Sequence, residues 1–276
     1  MSADRSNIDD RETVFALTDQ FAVLSEIAET LEPDQWQLPT SLPGWSVHDV
    51  LAHVIGTEEM LEGRPTPPIP SVDDFGHVHN PIGAINEAWV LSKRDRSPAE
   101  MTAELHEIGG VRTRAMTALT DEELSAPAMT PMGQSTYGKF MAVRLFDCWM
   151  HELDIRDAIG DTSADEGCAR AQLAFATVEK TLAYIVGKKV KAPEGSRVTV
   201  HLTGPLQRTF HVLVDGRAQF VESLDSPATT TITVDSGLYV RLLGGRTTAA
   251  EHRDSIGVDG DLELANSIMD AMASVM

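Results

Sequence analysis

The sequence predicts an α+β protein: an up-down helical bundle over residues 1–190, then a small α+β domain with an antiparallel sheet over residues 191–276. Up to about Val186, apolar residues recur three and four apart, the period of amphipathic helices. Beyond Gly187 the pattern changes to short β-branched runs, SRVTVHLTG, RTFHVLVDG, RAQFVESL and TTTITVD, separated by turn residues. Between them KKVKAPEGS, polar and broken by proline and glycine, sets the boundary near residue 190.

Residues 1–8 are polar and read as frayed. From Asp9 to Leu31, Val14, Leu17, Phe21, Leu24, Ile27 and Leu31 form one apolar stripe, hence a long helix. A loop holding Pro33, Pro39 and Pro43 leads to SLPGWSVHDVLAHVIGTEEMLEG, where Ser46 with Asp49 three residues on is a short form of the capping box. That helix carries His53 near its middle. A proline-rich loop, RPTPPIPSVDDFGHVHNPIG, follows, and His77 and His79 within it read as solvated. Helices are expected over Ile82–Lys93 and, opened by Ser97-Pro98, to about Leu119. Residues 120–137 read as a turn-rich connection, and a helix over about 164–186 completes the bundle. In the second domain Asp235–Leu243 and Asp261–Met276 read as helices.

Composition narrows the function. Residues that are 42% hydrophobic and 23% charged describe a globular chain, and a net charge of −20 argues against nucleic acid and anionic membrane surfaces. From Pro193 onward there are 6 basic and 11 acidic residues, so neither part is basic. No apolar run approaches the roughly 18 residues that span a bilayer. Cys148 and Cys168 form no CxxC pair or disulfide framework, and no signal-peptide pattern opens the chain. The expectation is a soluble cytoplasmic protein, monomer or homodimer.

The chain is organised around FMAVRLFDCWMHELDIRDAIG, Phe140 to Gly160, a helix without proline that ends on glycine. Asp147, His151 and Asp154 share one of its faces, while Glu152 and Arg156 point the opposite way and are expected in water. Leu145 and Trp149 also lie on that far side, which suggests a helix covered almost all round. A carboxylate and an imidazole one turn apart form half a metal site, although the same spacing serves a structural hydrogen bond or a solvated pair. His53 alone reads as a core histidine. A bundle can nevertheless bring His53 opposite Asp147 and His151, and three N/O ligands with an open fourth position is how a catalytic zinc or similar divalent ion is held. Asp154 and Arg144, on the same stripe, are placed to orient His151 or a substrate carboxylate, or to form a helix-surface ion pair. His151-Glu152 does not continue as HExxH, and no phosphate loop or G-x-S-x-G elbow is present.

PGWSVHDVLAHV (Pro43 to Val54) and FDCWMHELDIRDAIG (Phe146 to Gly160), taken together, resemble the mycothiol-dependent maleylpyruvate isomerase family, part of the wider DinB-like bundle superfamily. The resemblance covers most of the chain, because these bundles often carry a sterol-carrier-like C-terminal domain. It implies metal ligands at His53, Asp147 and His151, with Asp147 standing where the family usually has glutamate. It also implies mycothiol as cosubstrate and an arginine of the second domain in the active site, for which Arg241 and Arg246 are the candidates. The expected function is metal-dependent transfer or isomerisation of a small electrophile by a low-molecular-weight thiol, with Asp154, Arg241 and Arg246 serving catalysis. A metal-dependent hydrolase and a non-catalytic binding protein are the alternatives.

Overall fold

The computed structural model describes residues 9–130, 133–164 and 166–274, and the chain divides into two compact units between residues 164 and 165. The polar segment 1–8 lies outside the described residues.

The first unit is helical. Asp9 caps α1 (Asp10–Thr30) through hydrogen bonds from the Arg11 and Glu12 amides. The Ser46–Asp49 capping box opens α2 (Val47–Leu61). Then come α3 (Pro81–Lys93), α4 (Pro98–Thr117) behind a Ser97–Glu100 capping box, and the short α5 (Asp121–Leu124). The connection read as turn-rich contains a hairpin, β1 (Pro127–Thr130) with β2 (Gly133–Thr136). α6 (Tyr137–Ile159) ends at Gly160 with φ of 69°, a left-handed conformation that glycine adopts without a Cβ penalty. α1 packs along α6 and α4, and α2 packs against α3, α4 and α6. Val14, Leu17, Phe21 and Leu24 of α1 are buried, as the stripe predicted, and so are Leu145 and Trp149 of α6. Glu152 departs from expectation. It is 2% exposed, accepts Gln20 Nε2 at 2.8 Å and Arg156 Nε at 2.9 Å, and is therefore a core carboxylate under α1, not a water-facing one.

The second unit starts earlier than the expected boundary near 190. The stretch read as one bundle helix is α7 (Ala169–Val178), α8 (Thr181–Tyr184) and a π-helical turn (Ile185–Lys189), and it belongs to the sheet unit. The reason is aromatic packing: Phe175 of α7 stacks on Phe210 at 6.1 Å and meets Tyr239 edge-on at 6.0 Å. The strands are β3 (Arg197–Thr203), β4 (Arg208–Asp215), β5 (Arg217–Val221), β6 (Thr230–Asp235) and β7 (Gly257–Gly260), in the order β5-β4-β3-β6-β7. All neighbours are antiparallel except β3 and β6, whose parallel pairing makes the sheet mixed. Val198, Val200, Phe210, Val212, Ile232 and Val234 face the core with α9 (Ser236–Leu243) and α10 (Leu262–Asp270). Among the described residues no helix is long and apolar enough to cross a membrane.

Candidate metal centre

Two helices of the first unit bring the site together. The capping box at Ser46 fixes where α2 starts, which sets the phase of His53 two turns further on. On α6 the one-turn spacing of Asp147 and His151 aims both at that residue. His53 Nε2 lies 3.4 Å from Asp147 Oδ2, and His151 Nε2 lies 3.5 Å from Asp147 Oδ1. The two imidazoles meet edge-on with ring centroids 4.9 Å apart. One donor atom from each of the three residues falls within 4.8 Å of the other two.

These separations carry chemical information. At 3.4–3.5 Å they are too long for good hydrogen bonds, which centre near 2.9 Å. Zinc–ligand bonds of about 2.0–2.1 Å in a tetrahedron would place ligand atoms about 3.3 Å apart. Two of the separations, each to a different oxygen of Asp147, are near that value, and a set of one donor atom per residue fits within 4.8 Å, so the three side chains are gathered around one place without yet standing at ligand spacing. His53 Nδ1 is buried without a hydrogen-bond partner among the described residues, so this ring is not satisfied as an ordinary core histidine would be, although an ion held by Nε2 would leave Nδ1 as it is. The donor set of two imidazoles and one carboxylate suits zinc or a similar divalent ion.

The surroundings prepare each group. Asp154, 1% exposed, accepts from His151 Nδ1 at 3.0 Å, which leaves Nε2 as the lone-pair nitrogen turned to Asp147 when the ring is neutral. Ser41 Oγ donates to the other oxygen of Asp154 at 3.2 Å. Burial lowers the pKa of His53 and keeps it neutral, the form that ligates. Burial opposes the charge of Asp147, but Arg144 and His151 outweigh it and hold the carboxyl well below its ordinary range. Burial likewise opposes a charged His151, yet Asp147 and Asp154 raise its pKa. The Asp147 side chain is 23% exposed while both histidines are nearly closed off, so access to the cluster is on the aspartate side.

Trp45, of the PGW turn, was not singled out from the sequence, yet its ring centroid lies 5.2 Å from that of His53 and 6.4 Å from that of His151. Its Nε1 donates at 2.9 Å to the fully buried Glu87, which His77 Nε2 also meets at 3.0 Å. His77 is thus tied down and not solvated. Gly44, with φ of 81°, lets the turn run against the His77 ring, where a Cβ would come within 2.7 Å of it. His79 is exposed. Cys148 is fully buried, with Arg144 Nη2 3.4 Å from its sulfur. In the second unit Arg241 Nη2 pairs with Glu166 at 3.1 Å, and Arg246 Nη1 donates to the Gly244 carbonyl at 2.6 Å.

The chain matches the sequence models of a known family. The model described as the mycothiol maleylpyruvate isomerase N-terminal domain matches residues 17–156, and that of the MDMPI C-terminal domain matches residues 172–267. The chain belongs to the mycothiol maleylpyruvate isomerase family. An uncharacterized protein of Mycobacterium tuberculosis, found in two strains, is 24% identical over 189 residues, which is 66% of this chain and 69% of that protein. A crystal structure of the mycothiol-dependent maleylpyruvate isomerase superposes with a TM-score of 0.58 at 17% identity, covering 92% of this chain and 95% of that one. A mutant of that enzyme with one histidine replaced by alanine gives 0.56 at 15% identity over the same shares of the two chains. At these identities the structural likeness establishes the fold.

Proposed function

We propose that this protein is a metal-dependent enzyme that uses a low-molecular-weight thiol, mycothiol by its family, to isomerise or substitute a small electrophile. The observation that carries the proposal is the His53–Asp147–His151 cluster, in which one donor atom from each residue lies within 4.8 Å of the other two and the nearest contacts, at 3.4 and 3.5 Å, are long for hydrogen bonds. These three residues would hold the ion, with zinc the best match to the donors. What such an ion supplies when bound is a lower pKa for a thiol than its free value of about 8.5, so that thiolate is present at neutral pH.

The protein's own residues do the rest. Asp154 fixes the tautomer and plane of His151. Trp45, anchored by Glu87, walls the two imidazoles from one side. Cys148 is the cysteine nearest the cluster in sequence, and burial pushes its thiol far above the ordinary range, so the nucleophilic sulfur is expected from a cosubstrate. In the reaction the thiolate sulfur forms a bond to an electrophilic carbon. In an isomerisation that carbon–sulfur bond breaks again and returns the thiolate; in a transfer it is kept, and the leaving group on that carbon departs with the electron pair of its broken bond. The proposal extends to Arg241 and Arg246, for which the family resemblance implies a part in turnover; alanine at either position is expected to slow the reaction at unchanged metal content.

The test has two parts. Elemental analysis of protein purified without added metal is expected to give about one zinc per chain. Thiol consumption with a panel of electrophiles is expected only when both thiol and electrophile are supplied. Turnover indifferent to thiol would replace this reading by a hydrolase, and bound metal without turnover would leave a binding protein.

A further inference from the structure

Behind the cluster the bundle core holds a chain of alternating charges. Glu58 of α2 is fully buried. One of its oxygens accepts Arg112 Nε at 2.7 Å, and the other accepts Arg144 Nε at 2.9 Å and Nη2 at 2.8 Å. Arg112 continues outward to Glu62 at 2.9 Å and the Tyr137 hydroxyl at 3.2 Å. Arg144 continues inward, its Nη1 bonding Asp147 Oδ2. The sequence Glu62, Arg112, Glu58, Arg144, Asp147 thus runs from the rim of the bundle to the cluster.

A bundle core needs no such chain for stability. Withdrawing several charges from water is costly, and apolar residues of similar volume often hold a core as well or better. What the chain does provide is a fixed end. Arg144 is almost fully buried and held on Glu58 by two of its guanidinium nitrogens, while a third reaches Asp147, three residues along the same helix. Asp147 is a short carboxylate that must serve two imidazoles, one from each of its oxygens. An unanchored carboxylate there could turn toward solvent on its exposed side. We propose that Arg144, held by Glu58, is a positioning residue that fixes the Asp147 carboxylate in the cluster and offsets its charge. This rests on the reading of Asp147 as a ligand.

Zinc affinity of the full chain, measured by competition with a chromophoric chelator, tests it. The double variant Glu58→Met/Arg144→Met removes one buried charge of each sign and leaves Arg112 with Glu62. It is expected to melt cooperatively and to bind zinc about 10- to 100-fold more weakly than wild type, the usual effect of losing an outer partner of a ligand. Its cobalt(II)-loaded form is expected to show a changed visible spectrum, which a purely structural role in the core would not produce. Arg144→Lys keeps the charge but not the planar fork, is expected to lie between the two, and decides the matter alone if the double variant does not fold. Wild-type affinity and spectrum in the folded variants, or tighter binding, would overturn the inference and leave the metal reading standing. Absence of zinc binding in wild type would instead sink the metal reading itself, and this inference with it.

Discussion

Each half of this protein holds two neighbouring histidines, and they differ in what satisfies them. In the bundle, His53 and His151 are buried, share the single carboxylate of Asp147 at 3.4 and 3.5 Å, and leave His53 Nδ1 unpaired. In the sheet, His201 and His211 lie on adjacent strands, on the face turned away from the core. His211 Nδ1 meets Thr199 Oγ1 at 3.0 Å, and His201 Nδ1 meets Thr209 Oγ1 at 2.9 Å. Each ring of the sheet pair has a hydroxyl partner. In the bundle pair both rings turn Nε2 to one carboxylate at long range, an arrangement that a proton on His151 or a cation among the three residues would tighten. Proximity of histidines is common to both; unfinished bonding in a buried setting is what marks a site.

The sharpest way to break this comparison is to remove a bundle histidine. His53→Ala and His151→Ala are each expected to reduce metal content from about one ion per chain to near none, since two remaining donors hold zinc poorly. Full metal content in both, by elemental analysis, would place the ion elsewhere. Next comes the shared carboxylate. Asp147→Ala is expected to weaken metal binding at least about 10- to 100-fold, because it removes a ligand where loss of an outer partner already costs that much. Asp147→Glu is expected to be tolerated, since glutamate in this slot is what the family resemblance implies. Equal affinity in wild type and Asp147→Ala would demote the residue to a structural partner. A smaller effect, about 10-fold, is expected for Asp154→Asn, which keeps an acceptor for His151 Nδ1 but removes its charge. Metal titration of a folded variant with wild-type affinity would show that the orientation of His151 does not depend on it.

Why part of this was legible in the sequence, and part was not, follows from the range of the interactions. Ser46 and Asp49 meet across three residues and Gly160 caps its own helix, so local spacing suffices to frame α2 and α6. Asp147 and His151 are one turn apart and fall on one face by geometry. His53 joins them 94 residues away in sequence, and there the family resemblance, not periodicity, makes the connection. Glu152 misleads because a charged side chain on the far face of a helix reads as solvated, whereas Gln20 of α1 meets it in the core. His77 misleads for the same reason, its partner being the buried Glu87. The Glu58–Arg144 link, 86 residues apart, has no signature in one dimension. The division between residues 164 and 165 is hidden because α7 is as amphipathic as a bundle helix, and only the facing Phe210 and Tyr239 show which core it joins.

The sheet histidines supply the smallest effect and the control that makes the others informative. His201→Ala and His211→Ala are expected to leave metal content unchanged, because each ring is satisfied locally and no carboxylate stands between them. Their effect on stability is expected to stay within about 0.5 kcal/mol, as for surface substitutions generally. A trace remains in the pH dependence. Burial, and then the neighbouring His201, lowers the pKa of His211 in the folded protein. The unfolded chain therefore takes up the proton first, at about 6.5, so this term stabilises the fold fully above that pH and is lost as pH falls through the lower, folded value. His211→Gln removes the term. The melting temperature of wild type relative to this variant is thus expected to be highest near pH 7.5 and to decline toward pH 5. A flat difference across that range would mean that His211 titrates as freely in the fold as in the unfolded chain. Loss of metal in either sheet variant would contradict the comparison directly, since it would make the satisfied pair, and not the unfinished one, responsible for the ion.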